Sequence, residues 1–280
     1  MLYPSKLQET DVENWKEFLN VLRVTNLNNV EYQCNNPIVL CRINEKLKLF
    51  YKNKDHNNFI IEVSKLLADN EIDLLDKDYF VKISTISGKD ILYDEKSDDS
   101  IDEGDITTFW INVNSTNKKL IIKTAKQLCN YLFTSERIQA WFEKNNFIVF
   151  REWINYKAEE EFRCFIYQRK LVAISQYDYG CDLPDYMKQP DLIVKAISHF
   201  INQTIDIIPF DSVVIDLALC IENLNVYFVE FNPFGIESDT DAGLYDYVHD
   251  KDILTPDDLI NIKTDIRLFD LKYIERKYSV

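Results

Sequence analysis

The chain has 280 residues, 46% hydrophobic and 13% aromatic, enough for a substantial core in one large domain or two modest ones. Its formal net charge of −15 argues against broad binding to nucleic acid or to an anionic membrane surface, while leaving room for a local basic groove. No apolar run is long enough to span a bilayer, and Met1-Leu2-Tyr3-Pro4-Ser5-Lys6 lacks the pattern of a signal peptide. Cys34, Cys41, Cys129, Cys164, Cys181 and Cys220 include no Cys-x-x-Cys pair and read as free thiols of a cytoplasmic protein.

In chain order, Asp11 to Val24 places Val12, Trp15, Phe18, Leu19 and Leu22 at helical spacing, and Phe59 to Leu67 does the same. Nothing in residues 1–75 suggests chemistry, and the stretch is read as a separate N-terminal region. Tyr79-Phe80-Val81-Lys82-Ile83 predicts a short strand carrying one lysine. The acidic segment 94–105 fits no calcium-loop spacing and reads as a solvated loop. Residues 118–144 predict two helices with a cap at Thr134-Ser135-Glu136. Strands follow at 147–154, 161–167 and 170–177, the last two joined as a hairpin through Gln168-Arg169-Lys170. Asp191 to Ile205 predicts a helix with Leu192, Ile193, Ala196, Ile197, Phe200 and Ile201 on its apolar face. The polar tail from Asp246 onward is expected to be partly helical. The order of elements predicts an α+β architecture on antiparallel sheets, divided into 1–75, 76–146 and 147–280.

The most informative stretch is a pair of apolar runs, Val213 to Leu219 and Val226 to Gly235, joined by the polar turn Glu222-Asn223-Leu224-Asn225. Both read as buried strands, yet they contain Asp216, Glu230 and Asn232. A polar group in such surroundings is costly unless something satisfies it. Glu230 and Asn232 are two apart and share a face of their strand, and Asp216 can meet them from the neighbouring one. Two carboxylates and an amide oxygen form a hard-oxygen site suited to magnesium, which usually arrives with phosphates.

Cations for such phosphates are available. Lys82 lies in an apolar strand, Lys89 follows Ser87-Gly88 and can sit on a loop over phosphates, and Arg163 occupies a strand fit for the core. Arg151-Glu152-Trp153-Ile154 can border an adenine ring with backbone hydrogen bonds and an aromatic wall. Each has a plainer reading. Arg163 can pair with Glu152 or Glu161, Lys82 can snorkel to the surface, Trp153 can be core, and Asp216 can cap a turn or pair with an arginine. Ser84-Thr85-Ile86-Ser87-Gly88-Lys89-Asp90 lacks the first glycine and the final Ser or Thr of a Walker loop.

At Glu161-Phe162-Arg163-Cys164-Phe165-Ile166, at Leu171 through Tyr179, at Val214-Ile215-Asp216 and at Glu230-Phe231-Asn232-Pro233-Phe234-Gly235, the chain resembles the cell division cycle protein 123 family, which has an ATP-grasp fold. The resemblance covers residues 147–250 and reaches back, more weakly, to Lys82-Ile83-Ser84 and Lys89-Asp90. It implies two α+β lobes with antiparallel sheets clamping ATP. Asp216, Glu230 and Asn232 then match magnesium ligands, with Asp216 and Asn232 also part of the ATP site. Lys82 matches a strand lysine that reaches the phosphates, with Ser84 and Lys89 beside it, and Arg163 matches a phosphate-facing arginine. Arg151, Trp153 and Ile154 match the hinge that borders adenine. The family usually has Asp at Glu230, has polar and basic residues at Ala218 and Leu219, and has an N-terminal Trp-Tyr-Pro region without a clear counterpart in residues 1–75.

The resemblance implies an ATP-dependent factor that promotes assembly of eukaryotic translation initiation factor two by engaging its gamma subunit. The rival readings are an ATP-grasp ligase joining a carboxylate to an amine or sealing RNA, and a module whose ATP site has decayed. The negative charge speaks weakly against RNA, and neither a membrane nor nucleic acid is the expected partner.

Overall fold

A computed structural model describes residues 18–19, 23–35, 38–84, 86–88, 120–177, 183–238 and 240–269. These form two compact units, one of residues 18–35 with 155–269 and the other of residues 38–154. The acidic segment 94–105 and Lys89 lie outside the described residues.

After the helical residues Phe18 and Leu19, the first described strands are β1 (Arg23–Thr25), β2 (Glu31–Gln33) and β3 (Ile38–Arg42). Helices α1 (Glu45–Lys52) and α2 (His56–Asp69) follow, then strands β4 (Tyr79–Ile83), β5 (Ile86–Ser87) and β6 (Ile121–Ile122). Helices α3 (Ala125–Thr134) and α4 (Glu136–Trp141) precede β7 (Phe147–Glu152). Ser135 separates the two helices as expected and caps α4, its hydroxyl accepting from the Ile138 amide at 3.1 Å.

In the second unit the order is β8 (Glu161–Tyr167), β9 (Lys170–Gln176), α5 (Pro190–Thr204), β10 (Val213–Cys220), β11 (Asn225–Asn232), α6 (Lys251–Leu254) and β12 (Asp265–Arg267). Among the described residues no helix is long and apolar enough to cross a membrane. Cys34, Cys41, Cys129 and Cys164 are buried free thiols and Cys220 is a half-buried one.

The unit of residues 38–154 is built on a sheet ordered β3-β7-β4-β5, with β6 pairing β4. Val81, Ile83, Ile148 and Phe150 are fully buried on one face of it, and the Tyr131 hydroxyl of α3 bridges the Val81 carbonyl and the Gly88 amide. Gly88 is required there, because a Cβ would stand 2.9 Å from the Tyr131 ring. The pairing of β3 with β7 makes residues 38–42 part of this sheet, while β1 and β2 belong to the other unit. The stretch 1–75 therefore contributes to both units. The helical pattern from Asp11 to Val24 also ends earlier than its spacing suggests: Phe18 and Leu19 are helical, but Arg23–Thr25 is a strand paired with β2. Its Thr25 bonds Gln203, 178 residues away, a contact that a local periodicity cannot register.

The other unit is a sheet ordered β11-β10-β8-β9-β12, antiparallel except for the final parallel pair β9/β12. The β8–β9 hairpin turns on Gln168 and Arg169, both at positive φ (45° and 60°), the conformation that matches strand twist in a two-residue turn. The Arg169 guanidinium then caps the end of α5 by donating to the Ile205 carbonyl. One sheet face, carrying Ile215, Leu217, Phe228 and Phe231, is apolar and buried. The apolar side of α5 (Ile193, Ala196, Ile197, Phe200 and Ile201) is buried as its spacing predicts, and α5 lies against β10 and β11.

On the opposite face Phe165, Val172, Ala173 and Val214 pack with Ala242, Tyr245 and Leu254, which come from the segment after β11. That segment is pinned at several points. The Leu244 amide donates to the Ser175 hydroxyl at 2.9 Å, and Arg267 of β12 holds Asp250 through two nitrogens at 2.6 and 2.7 Å. Gly243, at φ +62°, presses so closely on β9 that a Cβ would stand 2.4 Å from the Ser175 hydroxyl oxygen. Among the described residues, the tail expected to be partly helical contributes one short helix and a parallel edge strand.

Two substitutions test this packing. Phe231 is 1% exposed and meets Phe18 and Phe228 at centroid distances of 5.0 and 4.7 Å. Phe231→Ala should cost about 3–5 kcal/mol in urea unfolding; a loss below about 1 kcal/mol is incompatible with this packing. Gly243→Ala should cost about 1–3 kcal/mol through its backbone conformation, with the clash adding to it, whereas an unchanged midpoint would show that the turn does not sit on Ser175.

Candidate functional site

Asp216 sits in the middle of β10, flanked by β8 and β11, and is 0% exposed. Its cross-strand partners are Arg163 on β8 and Glu230 on β11. Arg163 meets it side-on: Nε donates to Oδ1 and an Nη to Oδ2, both at 2.9 Å. The other Nη donates to the Asp241 carbonyl at 2.6 Å, and the guanidinium lies 4.7 Å from the Tyr177 ring centroid. Burial works against the charge on Arg163, which is only 6% exposed, but attraction to Asp216 prevails and raises its pKa further above the ordinary guanidinium value. The plainer sequence reading of Asp216, an arginine partner, is thus what the fold builds. Arg163 takes Asp216 rather than Glu152 or Glu161; Glu152 meets Lys77, and Glu161 accepts from the Tyr156 hydroxyl.

Asn232 joins this pair from the end of β11, its Nδ2 donating to Asp216 Oδ2 at 2.8 Å. An amide that offers its nitrogen to the carboxylate turns its oxygen the other way. Glu230 and Asn232 reach this face because β11 is irregular. Leu217 pairs with Phe228 while Asp216 pairs with Glu230, so Val229 is an extra residue. This bulge keeps Phe228 and Phe231 in the core and turns Glu230 and Asn232 to the opposite face, beside Asp216.

Asp216, Glu230 and Asn232 therefore lie together on one sheet face. Their chemistry, two carboxylates and an amide carbonyl, suits a hard divalent cation, and their residue types fit magnesium. Among the described residues no group of three or more His, Cys, Asp or Glu side chains is arranged for a metal, so an ion here depends on the amide oxygen as well. Arg163 and Asn232 occupy three of the roughly four acceptor positions of the Asp216 carboxylate.

In the other unit, Lys82 and Arg151 are each 8% exposed. Lys82 stands opposite Val149 and Ser87, and Arg151 opposite Phe80 and Ile38, so both cations occupy the same face of β4/β7. Lys82 is thus buried and does not snorkel to the surface. Ser84 is fully buried just beyond β4 at φ +51°, its amide donating to the Phe147 carbonyl. Trp153 and Ile154 follow β7 and are half-buried; the Trp153 amide bonds the Asp78 carbonyl at 2.8 Å and its ring meets Phe80 edge-on.

Sequence reasoning missed the Asp241 carbonyl, Tyr177 and Ser175 as neighbours of Arg163 and its loop. The one available signal is Gly243, just ahead of the polar tail, since an isolated glycine can mark close backbone contact.

Comparison with known proteins bears on the family and the fold. The family model described as D123 matches residues 112–278. The chain is 24% identical to the CDC123-like protein L884 of Acanthamoeba polyphaga mimivirus, over 91% of this chain and 85% of that one. It is 29% identical to a translation initiation factor eIF2 assembly protein of Xenopus laevis over 48% of this chain and 39% of that protein. The corresponding protein of Danio rerio is 33% identical over 33% of this chain and 27% of its own length. The structure of Cdc123 from Schizosaccharomyces pombe superposes with a TM-score of 0.67 at 17% identity, covering 96% of this chain and 99% of that one. The fold is therefore that of Cdc123, an ATP-grasp-like α+β fold, and the chain belongs to the D123 family, that of cell division cycle protein 123.

Proposed function

We propose that this protein binds ATP with magnesium and acts in the cytoplasm as an assembly factor for translation initiation factor eIF2, through the gamma subunit of that factor. The observation that carries the ATP half is the meeting of Asp216, Glu230 and Asn232 on one face of β10/β11, made possible by the bulge at Val229. The assembly half is supported by the relatives from Xenopus laevis and Danio rerio, whose names state that role for them and which this chain matches over part of their length.

In this reading Asp216, Glu230 and Asn232 hold the magnesium ion, which supplies positive charge to the phosphates. Lys82, with Ser84 and Lys89 near it in sequence, carries the phosphate charge on its own unit, and Arg151, Trp153 and Ile154 border the adenine. Glu230 does with one more methylene what a shorter Asp does in the family resemblance, reaching the same ion from slightly further back.

Calorimetric titration of the full chain with ATP, with and without magnesium, tests the first half. Binding that strengthens with magnesium is expected, and Asn232→Ala and Glu230→Gln should each weaken the magnesium-dependent affinity at least tenfold, about 1.4 kcal/mol, with an unchanged circular dichroism spectrum. No ATP binding by the wild-type chain sinks the reading. The second half is tested with purified eIF2 gamma subunit: a complex that co-elutes in size exclusion is expected, and separate elution at micromolar concentrations of both proteins counts against it. Release of ADP or AMP only in the presence of an amine, carboxylate or RNA acceptor would instead mark a ligase.

A further inference from the structure

We infer that Arg163 is a positioning residue: it fixes the Asp216 carboxylate and, through it, the amide of Asn232, and is not itself a phosphate contact. This inference rests on the magnesium–nucleotide reading above. It departs from the phosphate-facing role that family resemblance gives this arginine.

The geometry argues for it in three steps. A guanidinium has five N–H donors in a fixed plane. Three of them are committed inside the protein, two to Asp216 at 2.9 Å and one to the Asp241 carbonyl at 2.6 Å, while Tyr177 covers the ring-like face of the group. Arg163 is thus turned toward Asp216 across the sheet and is only 6% exposed, though its neighbours Phe162, Cys164 and Phe165 are fully buried. Next, two parallel bonds from one rigid fork set the plane of a carboxylate, which a single ammonium does not do. Finally, the oxygen so placed accepts from Asn232 Nδ2 at 2.8 Å. That bond decides which end of the amide faces outward. With it, the carbonyl oxygen is the outward atom, able to ligate a cation. Without it, the amide is free to rotate and present its NH2 group, a donor that repels a cation. The loop carrying Asp241 belongs to the same device, because it is held over β9 by Gly243 and by the Leu244–Ser175 bond.

The test uses the full chain and two readouts. Hydrogen exchange of the Asn232 side-chain amide, followed by NMR without metal or nucleotide, should be slow in the wild type and at least tenfold faster in Arg163→Lys; equal exchange in the two overturns the relay. Calorimetry with ATP should show that Arg163→Lys loses at least tenfold of the magnesium-dependent gain in affinity while the affinity in EDTA stays within twofold. A parallel loss in EDTA would indicate a direct phosphate contact and overturn the inference. Should Arg163→Lys not fold, Arg163→Met combined with Asp216→Asn removes both charges of the pair and is compared with Asp216→Asn alone. The double variant should lose no more of the magnesium-dependent gain than the single one, whereas additive losses overturn the inference. Absence of any ATP binding by the wild type brings down the nucleotide reading, and the exchange measurement still decides whether Arg163 orients Asn232.

Discussion

The buried pair of Arg163 and Asp216 is the constraint around which the larger sheet is arranged. Either charge alone in that position would be untenable, since an uncompensated buried ion costs several kcal/mol. Together they are tolerated because they stand directly opposite on β8 and β10 and their remaining polar atoms are drawn to further partners. Yet stability is a weak reason for such a pair. Apolar residues of similar volume often do as well or better, by about 1–4 kcal/mol. What the pair gives that leucine and methionine do not is direction. It fixes a carboxylate plane, a backbone carbonyl and an amide in one orientation, which is the kind of order a cation site needs around it.

That orientation would be without use if Glu230 and Asn232 faced elsewhere, and β11 determines where they face. Side chains alternate along a regular strand, so one extra residue reverses the assignment of every position beyond it. Without Val229 as the extra residue, Glu230 would share a face with Phe228, in the apolar layer on the side of α5. The bulge gives up regular pairing at one point of the ladder and in return keeps the carboxylate out of the core. The phenylalanine layer responds in the same way: Phe228 and Phe231, three apart, both reach Phe18 because the bulge lies between them.

How far the sequence discloses this differs from element to element. Strands β8 to β11 and helix α5 are long enough, and apolar enough, to declare themselves through composition and period. Strands β1, β2 and β12 have three residues each and are held by partners far along the chain: Thr25 bonds Gln203, Tyr32 bonds the backbone of Val226, and Ile266 pairs with Ile174. No window of local pattern contains those partners. The same limit applies at the candidate site. Carboxylates inside apolar runs were visible as anomalies, and so was Arg163. Which carboxylate the arginine would take was not, because that depends on the register of β8 against β10, and a slip of one residue would have sent Arg163 to the other face.

Both units bury positive charge on a sheet. In the larger sheet, Arg163 has its anion in the adjacent strand. In the smaller one, Lys82 and Arg151 are diagonal neighbours on a single face, and both are almost wholly removed from solvent. A cation so removed from water is tolerated only where polar or charged neighbours compensate it, because desolvation by itself disfavours the charged form. What surrounds each of these cations therefore matters more than the chain's net charge of −15, since close neighbours outweigh distant screened charges within a buried setting.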